Sequence, residues 1–148
     1  MRRYLQHNLA LFIFMGCIGI TVEIFFTAIY DTFSLPTHNM SLKGYSYLWM
    51  FPIYGITAIA FPPLINILTK LKWWGRGLVF GLGILIVEYI AGATLRYFTG
   101  ACPWEYQVGP HINGLIRLDY YPFWVLFAIG TEAVIRWLHP RVSSAFRE

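Results

Sequence analysis

Charge is what this sequence has least of. Asp, Glu, Lys and Arg make up 12% of its 148 residues, about half the proportion of an ordinary soluble domain. That deficit excludes a charged, water-facing surface over most of the chain. Cysteine is scarce too, with Cys17 and Cys102 alone. Neither has the neighbouring cysteine or clustered histidines of a metal or redox motif. The topology argued below sets them at different depths, which opposes a disulfide. There is no P-loop, GxSxG, HExxH or DxD-type pair, so the familiar nucleotide, hydrolase and zinc chemistries are absent from its motifs. His38 and His111 are the only histidines expected on the outer side, too few for a metal centre. No cofactor, metal or catalytic residue is expected. The net charge of +4 comes from basic residues standing singly at the ends of apolar runs. That is the pattern of topology signals, not of a phosphate-binding stripe, and no nucleic-acid partner is expected.

What fills the sequence instead is apolar, with 57% hydrophobic residues. Arg2 and Arg3 precede a 22-residue apolar run, Leu9 to Tyr30, broken only by Glu23. A crossing needs about 20 such residues and a signal peptide's core about 7–15, so the run reads as a retained membrane helix. Asp31 to Tyr45, with Pro36, Asn39 and Gly44, reads as a loop. A second helix follows at about 46–68. Pro52, Pro62 and Pro63 are each expected to remove a backbone hydrogen bond and kink it. Tyr45, Tyr47 and Trp49 have the makings of an interfacial aromatic belt. After a basic turn at Lys70, Lys72 and Arg76, a third helix spans about 77–95, with Gly77 and Gly81 spaced for close helix approach. A fourth spans about 120–138, its end marked by Arg136, His139, Pro140 and Arg141. The fold class is therefore all-α. Residues 1–148 form a single integral membrane domain of four transmembrane helices (about 9–30, 46–68, 77–95 and 120–138).

Orientation follows from the basic residues. Arg2, Arg3, Lys70, Lys72, Arg76, Arg136, Arg141 and Arg147 fall on one side, and Lys43, Arg96 and Arg117 on the other. This excess places both termini in the cytoplasm, and the protein in the inner membrane if the source is bacterial.

Three carboxyls interrupt the apolar helices: Glu23, Glu88 and Glu132. At 1.5 Å per residue, Glu23 lies roughly 21 Å from the cytoplasmic end of helix 1 and Glu88 about 16 Å into helix 3. Glu132 lies about 18 Å in from the outer end of helix 4. An acid at such depth must face protein, be protonated or find a donor, and is a functional-site candidate by default. The bland alternative is a protonated glutamate that bonds a neighbouring helix. Glu132 has a candidate partner in Arg136, one turn on. Glu23 and Glu88 sit in comparable settings, which makes two helix pairs of similar design possible.

Between helices 3 and 4, the segment from Arg96 to Asp119 carries Trp104, Glu105, Tyr106, His111, Asn113 and Arg117. Pro103, Gly109, Pro110 and Gly114 oppose a continuous helix there, while Ile112, Leu115, Ile116 and Leu118 are apolar enough to dip into the interface. The expectation is a partly re-entrant cap over the outer mouth of the bundle. Arg117 and Asp119 could pair within it, and Glu105 and His111 could form an acid/base pair. A belt of aromatics that only seals the bundle is the competing reading.

Five stretches appear in order: Val22–Ala28 (VEIFFTA), Leu48–Gly55 (LWMFPIYG), Glu88–Gly92 (EYIAG), Cys102–Tyr106 (CPWEY) and Asn113–Leu118 (NGLIRL). Together they resemble the small multipass family that includes eukaryotic transmembrane protein 229 and the bacterial CmpB-like proteins labelled ABC-transporter permeases. The resemblance covers about Leu9 to Leu138. It implies a multipass architecture with acids at the positions of Glu23 and Glu88, a tryptophan–acid–tyrosine motif and a turn before the last helix. The family's motif usually has aspartate where this chain has Glu105.

The leading expectation is a protein that binds or transports a small polar or lipid-like ligand. Its outward-facing pocket is lined by Glu23 and Glu88 and capped by Trp104, Glu105, Tyr106 and Asn113, a setting that suits a cationic or hydrogen-bonding amphiphile. The rivals are a membrane-embedded enzyme using a glutamate as acid or base on a lipid, and a structural subunit of a larger complex. Expected partners are membrane lipids, the ligand, and further copies of the chain or other subunits.

Overall fold

The computed structural model describes residues 2–34 and 40–145. Among these, four α-helices account for most of the chain: α1 (Arg2–Ser34), α2 (Met50–Ile67), α3 (Trp73–Thr99) and α4 (Tyr121–Ala145). Pro36, His38, Asn39 and Arg147 lie outside the described residues. α1, α2 and α3 are long and apolar enough to cross a membrane. Most of their surface is turned outward, with Phe25, Phe33, Ile67 and Ile90 more than half exposed. Such a surface suits hydrocarbon, and the chain is an integral membrane protein.

Every helix boundary moved from its sequence-based position, for identifiable reasons. α1 is longer at both ends, because the apolar run marks where lipid would begin and not where helical hydrogen bonding stops. Near its end the buried Thr32 hydroxyl bonds back to the Ala28 carbonyl at 2.7 Å. α2 begins at Met50 rather than 46, after two turn bonds from Met50 N to Tyr47 O and from Phe51 N to Leu48 O. Pro52 therefore stands in the first turn, where no intrahelical bond is available to lose. The expectation that it removes a backbone hydrogen bond and kinks the helix is corrected; Pro62 and Pro63 are the helix-interior prolines. α3 starts at Trp73 and closes on Gly100, whose left-handed φ of 81° brings its N–H to the Arg96 carbonyl. α4 runs through Pro140 to Ala145 instead of stopping near 138. Just beyond the proline, the Arg141 guanidinium donates to the Trp137 carbonyl at 2.6 Å and lies 4.1 Å over the Trp137 ring.

The chain divides into two compact units. The first holds residues up to Leu64 together with those from Ile135 on; the second is Ile65–Val134. In the first, α1 and α2 meet at glycines. A methyl group on Gly19 would land inside the Tyr54 ring, and one on Gly16 within 2.7 Å of Phe51. In the second, the Gly77–Gly81 spacing does what it suggests. Gly77 packs on Ile129 and Gly81 on Val125, so α3 and α4 approach closely. Leu85, Ile116 and Trp124 form the buried centre of this unit.

Candidate functional site

Gly77, Gly81, Leu85, Glu88 and Gly92 of α3 are all buried. Their spacing of three and four residues makes a single stripe along one helix face. Glu88 is thus turned into protein, with 7% exposure, rather than toward lipid. The segment after α3 is built over this stripe. A Cβ on Gly92 would stand 3.0 Å from Leu115, 3.2 Å from the Cys102 sulfur and 3.4 Å from the Trp104 ring. The missing side chain is what lets those groups settle on the helix. The Trp104 indole N–H donates to the Leu115 carbonyl at 3.2 Å.

The segment returns through a short antiparallel hairpin, His111–Ile112 (β1) with Ile116–Arg117 (β2). Asn113 and Gly114, at φ 53° and 70°, are its left-handed turn residues, as expected of an Asn-Gly pair between strands. The Leu115 N–H closes the turn on the Ile112 carbonyl at 2.9 Å. This turn carries Tyr106, whose N–H donates to the Gly114 carbonyl at 2.9 Å. The Tyr106 hydroxyl then reaches the helix and donates to Glu88 Oε1 at 2.7 Å. Tyr120 meets the Tyr106 ring edge to face at 5.9 Å, and Arg117 lies 4.2 Å over Tyr120 while pairing with Asp119. Burial first, and then the Glu88 carboxyl, hold the Tyr106 phenol far above its ordinary range. Tyr106 is a fixed donor and not a base. Burial likewise raises the Cys102 thiol, which argues against a reactive thiolate. In the same unit the buried Trp124 indole Nε1 has no hydrogen-bond partner among the described residues.

The other expected site residues are distributed as follows. Glu105 is exposed and pairs with Arg96 at 2.9 Å, and Arg96 also donates to the Asn113 carbonyl at 3.0 Å. Asn113 Nδ2 donates to the Tyr89 hydroxyl at 2.9 Å. The acid/base pairing of Glu105 with His111 does not form: His111 Nδ1 accepts from the Gly114 N–H at 3.1 Å. Of the four apolar cap residues, Leu115 and Ile116 turn inward and are buried, while Ile112 and Leu118 are 44% and 46% exposed. The second unit thus brings Glu88, Trp104 and Tyr106 onto one helix face and gathers Glu105 and Asn113 around Arg96.

Glu23 belongs to the first unit. Its Oε2 accepts from Ser46 at 2.8 Å and from Tyr54 at 3.0 Å. For Glu132 the partner that the helices bring up is Arg76 rather than the neighbour one turn on. Arg76 grips it through Nε, at 3.0 and 2.9 Å to its two oxygens, and through Nη2 at 2.6 Å. Sequence reasoning missed Arg76, Ser46 and Tyr54. A tyrosine in an apolar helix was the available signal, since its buried hydroxyl needs a partner. Among the described residues, no three His, Cys, Asp or Glu side chains converge as a metal site.

The model of the family described as Putative ABC-transporter type IV matches residues 10–148 of this chain. The match establishes the ABC-transporter half of the resemblance drawn from the sequence. No solved structure matches the chain.

Proposed function

Because the chain belongs to the Putative ABC-transporter type IV family, we propose that it is a transport-related membrane protein whose second unit holds a small polar or lipid-like ligand at Glu88. The observation that carries this reading is the Glu88 carboxyl itself: 7% exposed, on the packed stripe of a membrane helix, with a tyrosine hydroxyl aimed at it at 2.7 Å. Burying a carboxyl there is costly, and a merely structural role is met more cheaply by an apolar residue. The aromatic cap over it, Trp104 with Tyr106, offers ring faces that a cationic headgroup would use. Trp124 Nε1 adds a buried donor that a ligand oxygen could take.

In this reading α4 completes an even number of crossings, and both termini lie in the cytoplasm, following the Lys and Arg distribution. The sequence has no P-loop, so ATP-driven movement of the ligand would draw on a nucleotide-binding domain outside it. That favours a role as one subunit of a larger assembly.

Native mass spectrometry of gently extracted protein tests the proposal. Wild type carries a small-molecule adduct that Glu88→Gln lacks, while both retain the same helicity and melting behaviour. Glutamine keeps an acceptor for Tyr106, so the variant folds. An identical adduct on both proteins overturns the assignment. A second polypeptide on both, with no small molecule on either, replaces it with an assembly role.

A further inference from the structure

Aligning Glu23 with Glu88 also aligns Gly16 with Gly81, Val22 with Val87, Ala28 with Ala93 and Phe33 with Phe98. The correspondence extends to structure. Met15 and Phe80 are both buried, and Gly16 and Gly81 are both the points where a following helix packs closely. The partner helices match as well. Each has a proline in its first turn, Pro52 and Pro122, and a buried aromatic two residues later, Tyr54 and Trp124. Each carboxyl accepts a tyrosine hydroxyl from its own unit. The two units are copies of one design, so a role argued for Glu88 has a counterpart in the first unit.

That counterpart has its own chemistry. Both protein donors to Glu23 converge on Oε2, and Oε1 of this half-buried side chain has no hydrogen-bond partner among the described residues. The segment beside it is pinned to α1: the Tyr45 N–H donates to the Thr27 hydroxyl, and that hydroxyl donates to the Tyr45 carbonyl, both at 2.9 Å. This sets Tyr45 and Tyr47 edge to face, 6.3 Å apart. Burial, then Asp31, Tyr47 and Glu23, push the Tyr45 phenol above its ordinary range, which sets it within electrostatic reach of both carboxyls. Among the described residues neither Glu23 nor Asp31 is in an ion pair.

We infer that Glu23, Ser46 and Tyr54, with Tyr45 and Tyr47 flanking Ser46 in the chain, form a second ligand site that takes a primary ammonium group. A carboxylate oxygen with an open lone pair calls for an N–H donor, and a tyrosine face calls for a cation. A quaternary ammonium supplies the second and not the first, so the site discriminates between them. The inference rests on reading these intramembrane carboxyls as ligand groups, as the Glu88 proposal does. The ammonium could belong to a lipid headgroup or to a free amine.

The test counts adducts by native mass spectrometry on protein released from nanodiscs. The discs contain phosphatidylglycerol with either phosphatidylethanolamine or phosphatidylcholine, or phosphatidylglycerol alone with added ethanolamine. Phosphatidylethanolamine adducts number two on wild type, one on Glu23→Gln, one on Glu88→Gln and none on the double variant. Adducts of the lipid assign a headgroup, and adducts of free ethanolamine assign a soluble amine; either supports the site. Loss in Glu88→Gln with wild-type counts in Glu23→Gln overturns this inference and leaves the Glu88 proposal standing. Loss in Glu23→Gln alone does the reverse. Equal retention of phosphatidylcholine overturns the assignment to a primary ammonium. Tyr45→Leu guards against a misfolded acid variant, since it leaves the carboxyl in place. It is expected to weaken retention roughly 2- to 30-fold, and an unchanged titration overturns the role of the ring.

Discussion

Replacing Tyr106 by phenylalanine removes one oxygen atom and nothing else from the second unit. The hydroxyl donates to Glu88 Oε1, at 2.7 Å, on a carboxyl that is 7% exposed. A neutral hydrogen bond contributes about 0.5–1.5 kcal/mol net and one to a charged group about 1.5–3. Deleting one partner also leaves the buried acceptor without its donor, which costs about 1–3 kcal/mol. Tyr106→Phe should therefore lower stability by about 1–3 kcal/mol. The phenylalanine keeps the edge contact with Tyr120, so lost packing adds little. Reversible unfolding in mixed micelles, titrated with a denaturing detergent, measures the difference. The decisive comparison is the same substitution in a Glu88→Leu background, where the acceptor is gone. There its cost should fall to zero or below, because the substitution then removes a buried hydroxyl already without its acceptor, giving a coupling energy at least as large as the full effect. Equal costs in the two backgrounds would refute the claim that Tyr106 acts on Glu88.

Three further outcomes follow from other parts of the molecule. Gly19→Ala pushes a methyl group into the Tyr54 ring and should cost about 1–3 kcal/mol, whereas Gly83→Ala faces open space and should be neutral or stabilising by up to about 1 kcal/mol; detergent-denaturation midpoints separate them. Glu132→Gln should destabilise the second unit by stranding the Arg76 guanidinium, and Arg76→Met combined with Glu132→Leu should recover much of the loss; the melting temperatures of single and double variants check this. Arg117 holds the Asp119 carboxyl below its ordinary value. Its contribution is therefore complete above the unfolded value of about 3.9 and is lost as pH falls through the lower folded value. Amide exchange across residues 106–120 should be flat from neutral pH down to about 4 and accelerate only below that, after correction for intrinsic rates; acceleration near pH 6 would contradict the pairing.

How much of this could be read from the chain depended on the range of the interaction. The apolar runs named all four helices, and three of them, α1, α2 and α3, are long and apolar enough to cross a membrane. The turn at Asn113-Gly114 was implied by the family resemblance, and the pair suits it because few others tolerate two left-handed residues in succession. Arg117 with Asp119 was legible because the partners are two residues apart. Boundaries failed where hydropathy and hydrogen bonding part company, at the polar first turns of α1 and at Pro140. Pro52 was misread because its effect depends on whether it falls in the first turn or the interior. The partners of the intramembrane acids were the least legible. Glu132 and Arg76, or Glu23 and Tyr54, are brought together only by helix packing, which glycines such as Gly81 and Gly19 permit but do not announce.

The central claim is that the Glu88 carboxyl contacts a ligand, and the carboxyl carbon reports this most directly. Solid-state NMR of protein with ¹³C-labelled glutamate compares the Glu88 Cδ resonance in retained native lipid with that after exchange into phosphatidylglycerol alone. Glu88→Gln assigns the signal, and Glu132, held by Arg76, serves as the internal reference. The account predicts that the Glu88 resonance moves on exchange while Glu132 stays fixed. A Glu88 resonance that does not move, or that moves together with Glu132, would contradict it.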